Sequence, residues 1–315
     1  MDSGDASMSL PRRSDFAHHW SLSPDTVFLN HGSFGATPIP VLEEQSKIRN
    51  LLERDPVRFF EREYTDLWNH SRAVLASVLN ADKEGLVFVS NATQGVNTVL
   101  RSLKLKPGDE IIISDHTYQA CWNAVDYVTQ KSGARTVVVN IPFRIEGPEE
   151  IINLFMDAVT DRTVLALIDT ITSPTGTRMP FEDLTEKLQS RGVDVLLDAA
   201  HGPGIVPIDI TRLAPAYCTG NCHKWICSPK GSAFLHIRED RKNSVKPLNI
   251  SHGFSFEGTA QEKFDFEFAW PGTQDPSPWL SIPKALEFME GLVEGGWEQI
   301  MDRNRNLALQ GRNLI

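Results

Sequence analysis

The sequence predicts an α/β fold built on a mainly parallel, seven-stranded sheet that is covered by helices on both faces. Three observations predict it. From residue 86 onwards, short apolar runs alternate with segments of helical apolar periodicity. Most of the apolar runs are unbroken, as in strands that are buried on both faces. Polar residues capable of chemistry follow five of these runs, which places them at one edge of a parallel sheet.

The part of the chain before this alternation is predicted to be helical. Residues 1–22 are polar and irregular, and we interpret them as a flexible tail. Residues 27–38 are rich in glycine and end in proline, which indicates a loop that leads into a helix. Apolar spacing predicts helices at 40–52 and 61–79. We assign residues 23–80 to an N-terminal helical segment.

Strands and helices then follow each other along the chain. Each strand is a short run rich in Val, Ile and Leu, and each helix has apolar residues three and four positions apart. The predicted strands are 86–90, 110–114, 135–139, 163–168, 192–197, one near 217, and 232–237. The predicted helices are 94–103, 118–131, 149–159 and 181–189, with a last helical stretch at 297–314.

Lys224 is the centre of the predicted site. It lies between two strand-like runs, flanked by His223 and Trp225, and a lysine held in a structured turn can lose its proton and act as an amine nucleophile. Asp198 follows a buried strand and so lies at the carboxyl edge of the sheet. A lone lysine would be interpreted as a surface residue. A lysine for the aldehyde together with an acid for the pyridinium nitrogen indicates pyridoxal phosphate.

Other strand ends offer a phosphate site and a stacking surface. Small and hydroxyl residues after the first strand expose backbone N–H groups at a helix N-terminus, which suits a phosphate. Asn91 or Thr93 could instead serve there as a simple N-cap. His116 and Tyr118, after the second strand, could stack on an aromatic ring or be packed core residues. Residues 169–176 are predicted to form a polar, turn-forming mouth.

Composition argues against several classes of function. The net charge of −10, from 31 basic and 41 acidic residues, argues against a nucleic-acid surface. No apolar run approaches the ~18 residues that a membrane helix needs. The N-terminus has no signal pattern, so we expect a cytoplasmic protein. No G-x-G-x-x-G follows a predicted strand, which weighs against a nicotinamide-dependent dehydrogenase.

The four cysteines are interpreted as reduced thiols. Cys218, Cys222 and Cys227 cluster beside the central lysine, and Cys121 stands apart. A zinc site made from these three thiols and His223 is conceivable. Because the spacing fits no common zinc pattern, we predict no metal.

Six motifs of the chain resemble the class V aminotransferase family. Within that family the sequence is most similar to the isopenicillin N epimerase-like branch, which also holds cysteine desulfhydrases and fungal carbon–sulfur lyases. The resemblance runs from about residue 25 to the end of the chain, and the Asn-Cys-His-Lys-Trp motif is specific. The motifs are NHGSFG at 30–35, DPVRFF at 55–60, NAT at 91–93, TSPTG at 172–176, DAAHGPG at 198–204 and GNCHKW at 220–225.

The resemblance implies a fold type I enzyme with bound pyridoxal phosphate, assembled as a homodimer with active sites at the subunit interface. Lys224 would form the Schiff base, Asp198 would pair with the pyridinium nitrogen, and His201 would lie near the phenolic oxygen. The other implied residues are Ala92, Thr93, Asn221 and His223 at the phosphate, Thr273 at the neighbouring subunit's phosphate, His116 or Tyr118 on the ring, Thr172 at the cofactor, and Asn30 and His31 at the substrate.

The cofactor implies an enzyme that removes the Cα proton of an amino acid through Lys224. Return of the proton to the opposite face gives epimerisation, loss of sulfur from Cβ gives carbon–sulfur lysis, and protonation at C4′ gives transamination. We expect an isopenicillin N epimerase-like enzyme or a lyase acting on a cysteine-derived substrate. The alternatives are a class V transaminase and a catalytically inactive binding module, against which the presence of Lys224 and Asp198 argues.

The C-terminal stretch is predicted to open a second domain. We assign residues 81–285 to the large cofactor-binding domain and residues 286–315 to the start of a small domain. Members of the family continue beyond this point, so we expect a truncated chain. The family's substrate-carboxylate arginine and the mobile-loop cysteine of desulfurases are therefore expected beyond Ile315.

Overall fold

A computed structural model describes residues 12–314. Residues 1–11 of the predicted tail lie outside the described residues, and residues 12–22 include a 3-10 turn at Ala17–His19. The strands are β1 Leu86–Val89, β2 Glu110–Ser114, β3 Arg135–Val139, β4 Thr163–Asp169, β5 Asp194–Ala199, β6 Tyr217–Asn221 and β7 Ala233–Ile237. The helices are α1 Ile39–Arg54, α2 Pro56–Arg58, α3 Tyr64–Val78, α4 Ala92–Ser102, α5 Gln119–Ser132, α6 Pro148–Ala158, α7 Phe181–Ser190, α8 Ile210–Leu213, α9 Ala260–Ala269, α10 Ser277–Leu280, α11 Ile282–Glu290 and α12 Gly296–Leu314.

The strands form one seven-stranded sheet in the order β1-β7-β6-β5-β4-β2-β3. β7 pairs antiparallel with both of its neighbours, and the other pairs are parallel. β1 therefore runs in the same direction as β6, so that the carboxyl ends of β1, β2, β4, β5 and β6 meet at one edge. The sequence prediction of a mainly parallel sheet with five chemically capable strand ends on one edge is confirmed.

The core consists of two apolar layers, one on each face of the sheet. Val195 and Leu197 of β5 join one layer, whereas Leu196 between them joins the other. The first layer is covered by α1, α3, α6, α7 and α11, and the second by α4, α5 and α9. Side chains alternate along a strand, so both faces of a central strand must be apolar. This is why the strands appear as unbroken apolar runs.

The observed helix bounds agree with the sequence to within a few residues, with three differences, of which one is the unpredicted short helix α8 at Ile210–Leu213. The break before α3 is a short α2 followed by a π-helical turn at Phe59–Glu63. The segment between β7 and α12, for which no elements are predicted, contains α9, α10 and α11. α10 and α11 pack against α1 and α3, so that the N-terminal helices lie on residues from the other end of the chain.

The assigned domain boundaries stay predictions. Among the described residues, no helix is both long enough and apolar enough to span a membrane.

Candidate active site

Lys224 lies in the turn that connects β6 to β7, at the carboxyl edge of the sheet. Its Nζ is 2.9 Å from Nε2 of His201, which follows β5. The other ring nitrogen of His201 receives a hydrogen bond of 3.3 Å from the indole N–H of Trp225. The structure therefore brings together two predicted residues from neighbouring strand ends and adds a third, Trp225, to which the sequence analysis gave no role.

The turn that carries Lys224 is held by the N-terminal loop. His31 Nε2 lies 2.9 Å from the Lys224 carbonyl oxygen and 3.4 Å from the Cys227 sulfur. A Cβ on Gly35 would lie 2.2 Å from the carbonyl oxygen of His223, so only glycine allows the loop to approach this closely. The ring of His31, predicted to contact the substrate, is engaged with the lysine turn, and its substrate role stays a prediction.

Asp198 is the penultimate residue of β5, and it is buried with 3% exposure. Its Oδ1 accepts a hydrogen bond of 2.9 Å from the Ala200 N–H, and its Oδ2 accepts one of 3.4 Å from the Cys121 thiol. Burial raises the pKa of Asp198, while these two donors and the positive charge of Lys224 oppose the rise. The site thus holds a buried acid that a nearby positive charge would keep ionised.

Asp169 corrects one expectation from the sequence. It was placed at the start of a polar mouth, but it is the last residue of β4 and is buried. It pairs in register with Asp198 on the neighbouring strand, so the two carboxyl groups share one face of the sheet. Burial and then the charge of Asp198 raise the pKa of Asp169 well above its ordinary value. The sequence places each aspartate at the carboxyl edge of the sheet, but it does not show that β4 and β5 are neighbours with the two aspartates in register.

The amine and the imidazole influence each other's protonation. Burial lowers the pKa of Lys224, and the negative charge of Asp198 opposes that effect. Burial, reinforced by the charge of Lys224, lowers the pKa of His201 to about 4. His201 is therefore a neutral imidazole at neutral pH. At a given pH, a larger fraction of Lys224 is in the free-amine form than for a lysine in water.

The predicted phosphate-binding part of the site is formed by the N-terminus of α4 and by β6. The side chain of Asn91 caps α4 by accepting from the Gln94 N–H at 2.8 Å, which confirms the N-cap interpretation for Asn91. Asn221 accepts a hydrogen bond of 2.8 Å from the Ala92 N–H. α4 reaches this position because Gly95 packs directly on Thr219 of β6: a Cβ there would lie 2.1 Å from the threonine hydroxyl oxygen.

His223 lies on the other side of this phosphate-binding part. Its Nδ1 is 3.0 Å from the Ser232 carbonyl oxygen, which can only accept, so the neutral ring carries its proton on Nδ1. Burial lowers the pKa of His223, and the charges of Lys224 and Lys230 act in the same direction. Thr93 is half-buried in the first turn of α4. The helix N-terminus and a partly buried imidazole could together hold an anion.

The predicted stacking residues lie at the mouth of the site. His116 Nδ1 is 3.1 Å from the Thr175 hydroxyl, which in turn is 2.7 Å from the hydroxyl of Thr172. Tyr118 is 46% exposed, so it is not a packed core residue. Which of the two aromatic side chains stacks on a ring stays open.

Two predicted residues stand outside this hydrogen-bond network. Thr273 is exposed in the turn between α9 and α10. Asn30 is also exposed, and its side chain accepts a hydrogen bond from the Ser33 hydroxyl at 2.9 Å. Their roles stay predictions.

The four cysteines are buried and unpaired. Within residues 12–314 there is no group of three or more His, Cys, Asp or Glu side chains arranged to hold a metal ion. Burial raises the pKa of each of the four thiols, with Cys227 at about 12.

The family model that matches is Aminotransferase class-V, over residues 41–314. An isopenicillin N epimerase of Amycolatopsis lactamdurans is 32% identical over 303 residues, which cover 91% of this chain and 74% of that protein. A probable chloroplastic L-cysteine desulfhydrase of Arabidopsis thaliana is 32% identical over 321 residues, covering 96% and 66%. A hercynylcysteine sulfoxide lyase of Schizosaccharomyces pombe is 24% identical over 306 residues, covering 94% and 76%.

Solved structures share the fold. A lysine-to-alanine mutant of C-DES, with glycine covalently linked to its PLP cofactor, superposes with a TM-score of 0.80 at 20% identity and covers 92% of this chain and 77% of that one. The cysteine desulfurase CsdA of Escherichia coli superposes with a TM-score of 0.73 at 22% identity, covering 88% and 71%.

Proposed function

The chain belongs to the class-V aminotransferase family, whose cofactor is pyridoxal phosphate, and we propose that Lys224 is the residue through which this chain applies that cofactor to an amino acid. The observation that carries the proposal is the position of the Lys224 amine. It lies 2.9 Å from His201 and within the electrostatic influence of the buried Asp198. A lysine amine beside a buried acid is the pairing that this cofactor requires.

The residues around Lys224 fit pyridoxal phosphate. Asp198 is buried and has only neutral hydrogen-bond donors among its contacts, so a protonated ring nitrogen would add the positive charge that a buried carboxylate needs. The N-terminus of α4 offers a positive helix end and the Thr93 N–H group to a phosphate, whereas the Ala92 N–H group already donates to Asn221. Both features lie at the same edge of the sheet as the amine.

When bound, the cofactor supplies an aldehyde for an amine and a ring that takes up the electron pair released at Cα. The chain supplies the rest. Burial lowers the pKa of Lys224, so its amine is available to take the Cα proton. Asp198 as a carboxylate favours the protonated ring nitrogen. His201 holds the amine in position through Nε2.

We further propose that the substrate carries a cysteine-derived side chain. Relatives named for acting on cysteine or hercynylcysteine sulfoxide support a lyase that removes sulfur from Cβ, and relatives named isopenicillin N epimerase support inversion at Cα. Both outcomes begin with removal of the Cα proton, which is the step that Lys224 is placed to perform. Transamination stays an alternative.

The test is a product analysis in D2O with L-cysteine, its S-alkyl derivatives and cysteine-containing peptides. Pyruvate with a stoichiometric sulfur fragment selects the lyase, and deuterium at an inverted Cα selects the epimerase. A keto-acid product that keeps the Cβ substituent, formed as the amino group of the substrate is transferred to the cofactor, selects transamination. If no substrate exchanges its Cα proton although the cofactor is bound, the enzyme proposal is wrong and the binding-module alternative stands.

We also propose that the protein works as a homodimer, as the similarity of residues 270–273 to the family's subunit-crossing segment predicts. Exposure of Thr273 is compatible with contact to a second subunit. Sedimentation of the cofactor-loaded protein tests this, and a fully active monomer would contradict it. A cytoplasmic location stays a prediction, since one relative is named as chloroplastic.

A further inference from the structure

We infer that Trp225 is a positioning residue that fixes the tautomer of His201, and that His201 in turn donates a hydrogen bond to Lys224 and so disfavours protonation of its amine. The inference rests on the proposed role of Lys224, which it deepens. It is based on which of the three groups, the Trp225 indole, the His201 imidazole and the Lys224 amine, donates and which accepts in each hydrogen bond.

The direction begins at Trp225. An indole Nε1 always carries a proton and cannot accept, so at 3.3 Å it must donate to Nδ1 of His201. Nδ1 is therefore the acceptor nitrogen, and the single proton of a neutral imidazole is on Nε2. That nitrogen is the one that lies 2.9 Å from Lys224 Nζ.

The direction ends at Lys224. If Nε2 of His201 carries the proton, the contact is a hydrogen bond only when Nζ offers a lone pair, and only the free amine has one. An ammonium group would place two donors against each other. Protonating Lys224 therefore requires the His201 proton to move to Nδ1, which costs the bond from Trp225.

Trp225 is held firmly enough to impose this direction. A Cβ on Gly32 would lie 3.0 Å from its ring, and a Cβ on Gly204 would lie 2.9 Å from its backbone carbonyl group. The ring of His31 lies 5.4 Å from that of Trp225, centroid to centroid. The N-terminal loop thus packs against the indole, and the loop at Gly204 packs against the backbone of Trp225.

The other groups that face the Lys224 amine act by charge alone. Asp198 at the end of β5 favours the ammonium form, as does Cys121 on α5 to the extent that its thiol is ionised. Asp169 lies beside Asp198. The charges of Asp198, Cys121 and Asp169 act on the pKa of Lys224 in the same way whether or not residue 225 carries an N–H group. Removing the indole N–H of Trp225 therefore isolates the contribution of that N–H group.

The experiment uses the full chain freed of cofactor and compares wild type with Trp225→Phe, which keeps a ring but loses the donor. The ionisation midpoint of Lys224 is measured by competitive acylation over a pH series with mass spectrometry of its peptide. Lys230, exposed on the same peptide, serves as the internal reference. We expect the midpoint to rise by about half to one pH unit, the equivalent of one neutral hydrogen bond.

A matched control is Trp122→Phe, which also loses one indole donor but whose partner is Asp126 on its own helix. Its Lys224 midpoint should equal that of wild type. In a His201→Ala background, Trp225→Phe should no longer shift the midpoint, because the indole acts only through the imidazole. An equal shift with and without His201, or no shift in Trp225→Phe, overturns the inference.

Nitrogen NMR of the wild-type chain reads the tautomer directly and does not depend on the folding of Trp225→Phe. The sequence has nine histidines, and the signal that is lost in His201→Ala or His201→Gln identifies the ring. We expect a proton on Nε2 and none on Nδ1; the opposite tautomer overturns the inference. Borohydride trapping of the cofactor on Lys224 is a separate measurement, so failure of this inference is distinguishable from failure of the proposed function.

Discussion

The site has an inner and an outer part that differ in how firmly their side chains are held. The inner part follows β5 and β6 and consists of Asp198, His201 and Lys224, which are buried or half-buried and bonded to neighbours from distant segments. The outer part follows β2 and β4 and includes Tyr118 and Thr175, which are exposed to solvent. The difference teaches that the proposed chemical groups are fixed before a ligand enters, whereas the mouth stays open for entry.

If this division is right, substitutions in the inner part should affect the chemical step, and substitutions in the outer part should affect binding only modestly. The largest expected effect is that of Lys224→Ala. We expect activity to fall by about 10²–10⁴-fold or more, because both the base and the covalent anchor are removed. Borohydride reduction should label Lys224 in wild type and no residue in the variant. Lys230→Ala is the control, and a pyridoxyl label on any other lysine would refute the assignment.

Asp198→Asn should have the next largest effect. The amide keeps the shape of the carboxyl group, and its single oxygen can still accept from the Ala200 N–H, but its NH2 group cannot accept from Cys121 and it cannot stabilise a protonated ring nitrogen. We expect the cofactor to bind and the turnover number to fall by roughly two orders of magnitude. The turnover number and the cofactor dissociation constant are measured separately. Turnover close to that of wild type would mean that the carboxylate has another task.

Asp169→Asn separates burial from chemistry at a carboxyl group that lies beside the inner part, next to Asp198. The pKa of Asp169 is raised by burial and by Asp198, so the stability that its protonated form provides is fully present below the unfolded pKa and is lost as pH rises through the folded pKa. The amide is neutral at every pH, so the stability of the variant relative to wild type should rise as pH increases from 4 to 8.

Urea denaturation at pH 4 to 8 measures this gain. Asp157→Asn, an exposed acid of α6, is the control and should show no such trend. An Asp169→Asn variant whose stability relative to wild type falls with rising pH would show that the carboxylate is stabilised as an ion.

Thr175→Ala tests the outer part and should have the smallest effect. It removes the hydrogen bond to His116, which is worth about 0.5–1.5 kcal/mol. We expect a change in KM or in the cofactor dissociation constant of at most about tenfold, with the turnover number preserved. A loss of turnover comparable to that of Asp198→Asn would contradict the division between an open mouth and a fixed interior.

The sequence by itself determined most of the elements and the candidate residues for the chemistry. Strands such as β4 and β5 were predicted because burial on both faces demands an unbroken apolar run, and α1, α5 and α7 because one buried face imposes helical periodicity. Lys224 and Asp198 were predicted because their ionisable groups follow apolar runs that must end at the same edge. α9 to α11 were not predicted, since they interrupt a loop-like segment and are stabilised by packing on other elements.

Tertiary structure alone decided which side chains meet. Cys121 bonds to Asp198 across 77 residues, Trp225 bonds to His201 across 24, and His31 bonds to the Lys224 turn across 193. The order of the strands and the register of Asp169 beside Asp198 set these contacts. Local patterns record which face of an element is buried, but the partner on the other side is chosen by how whole layers pack, so no short stretch of sequence could specify it.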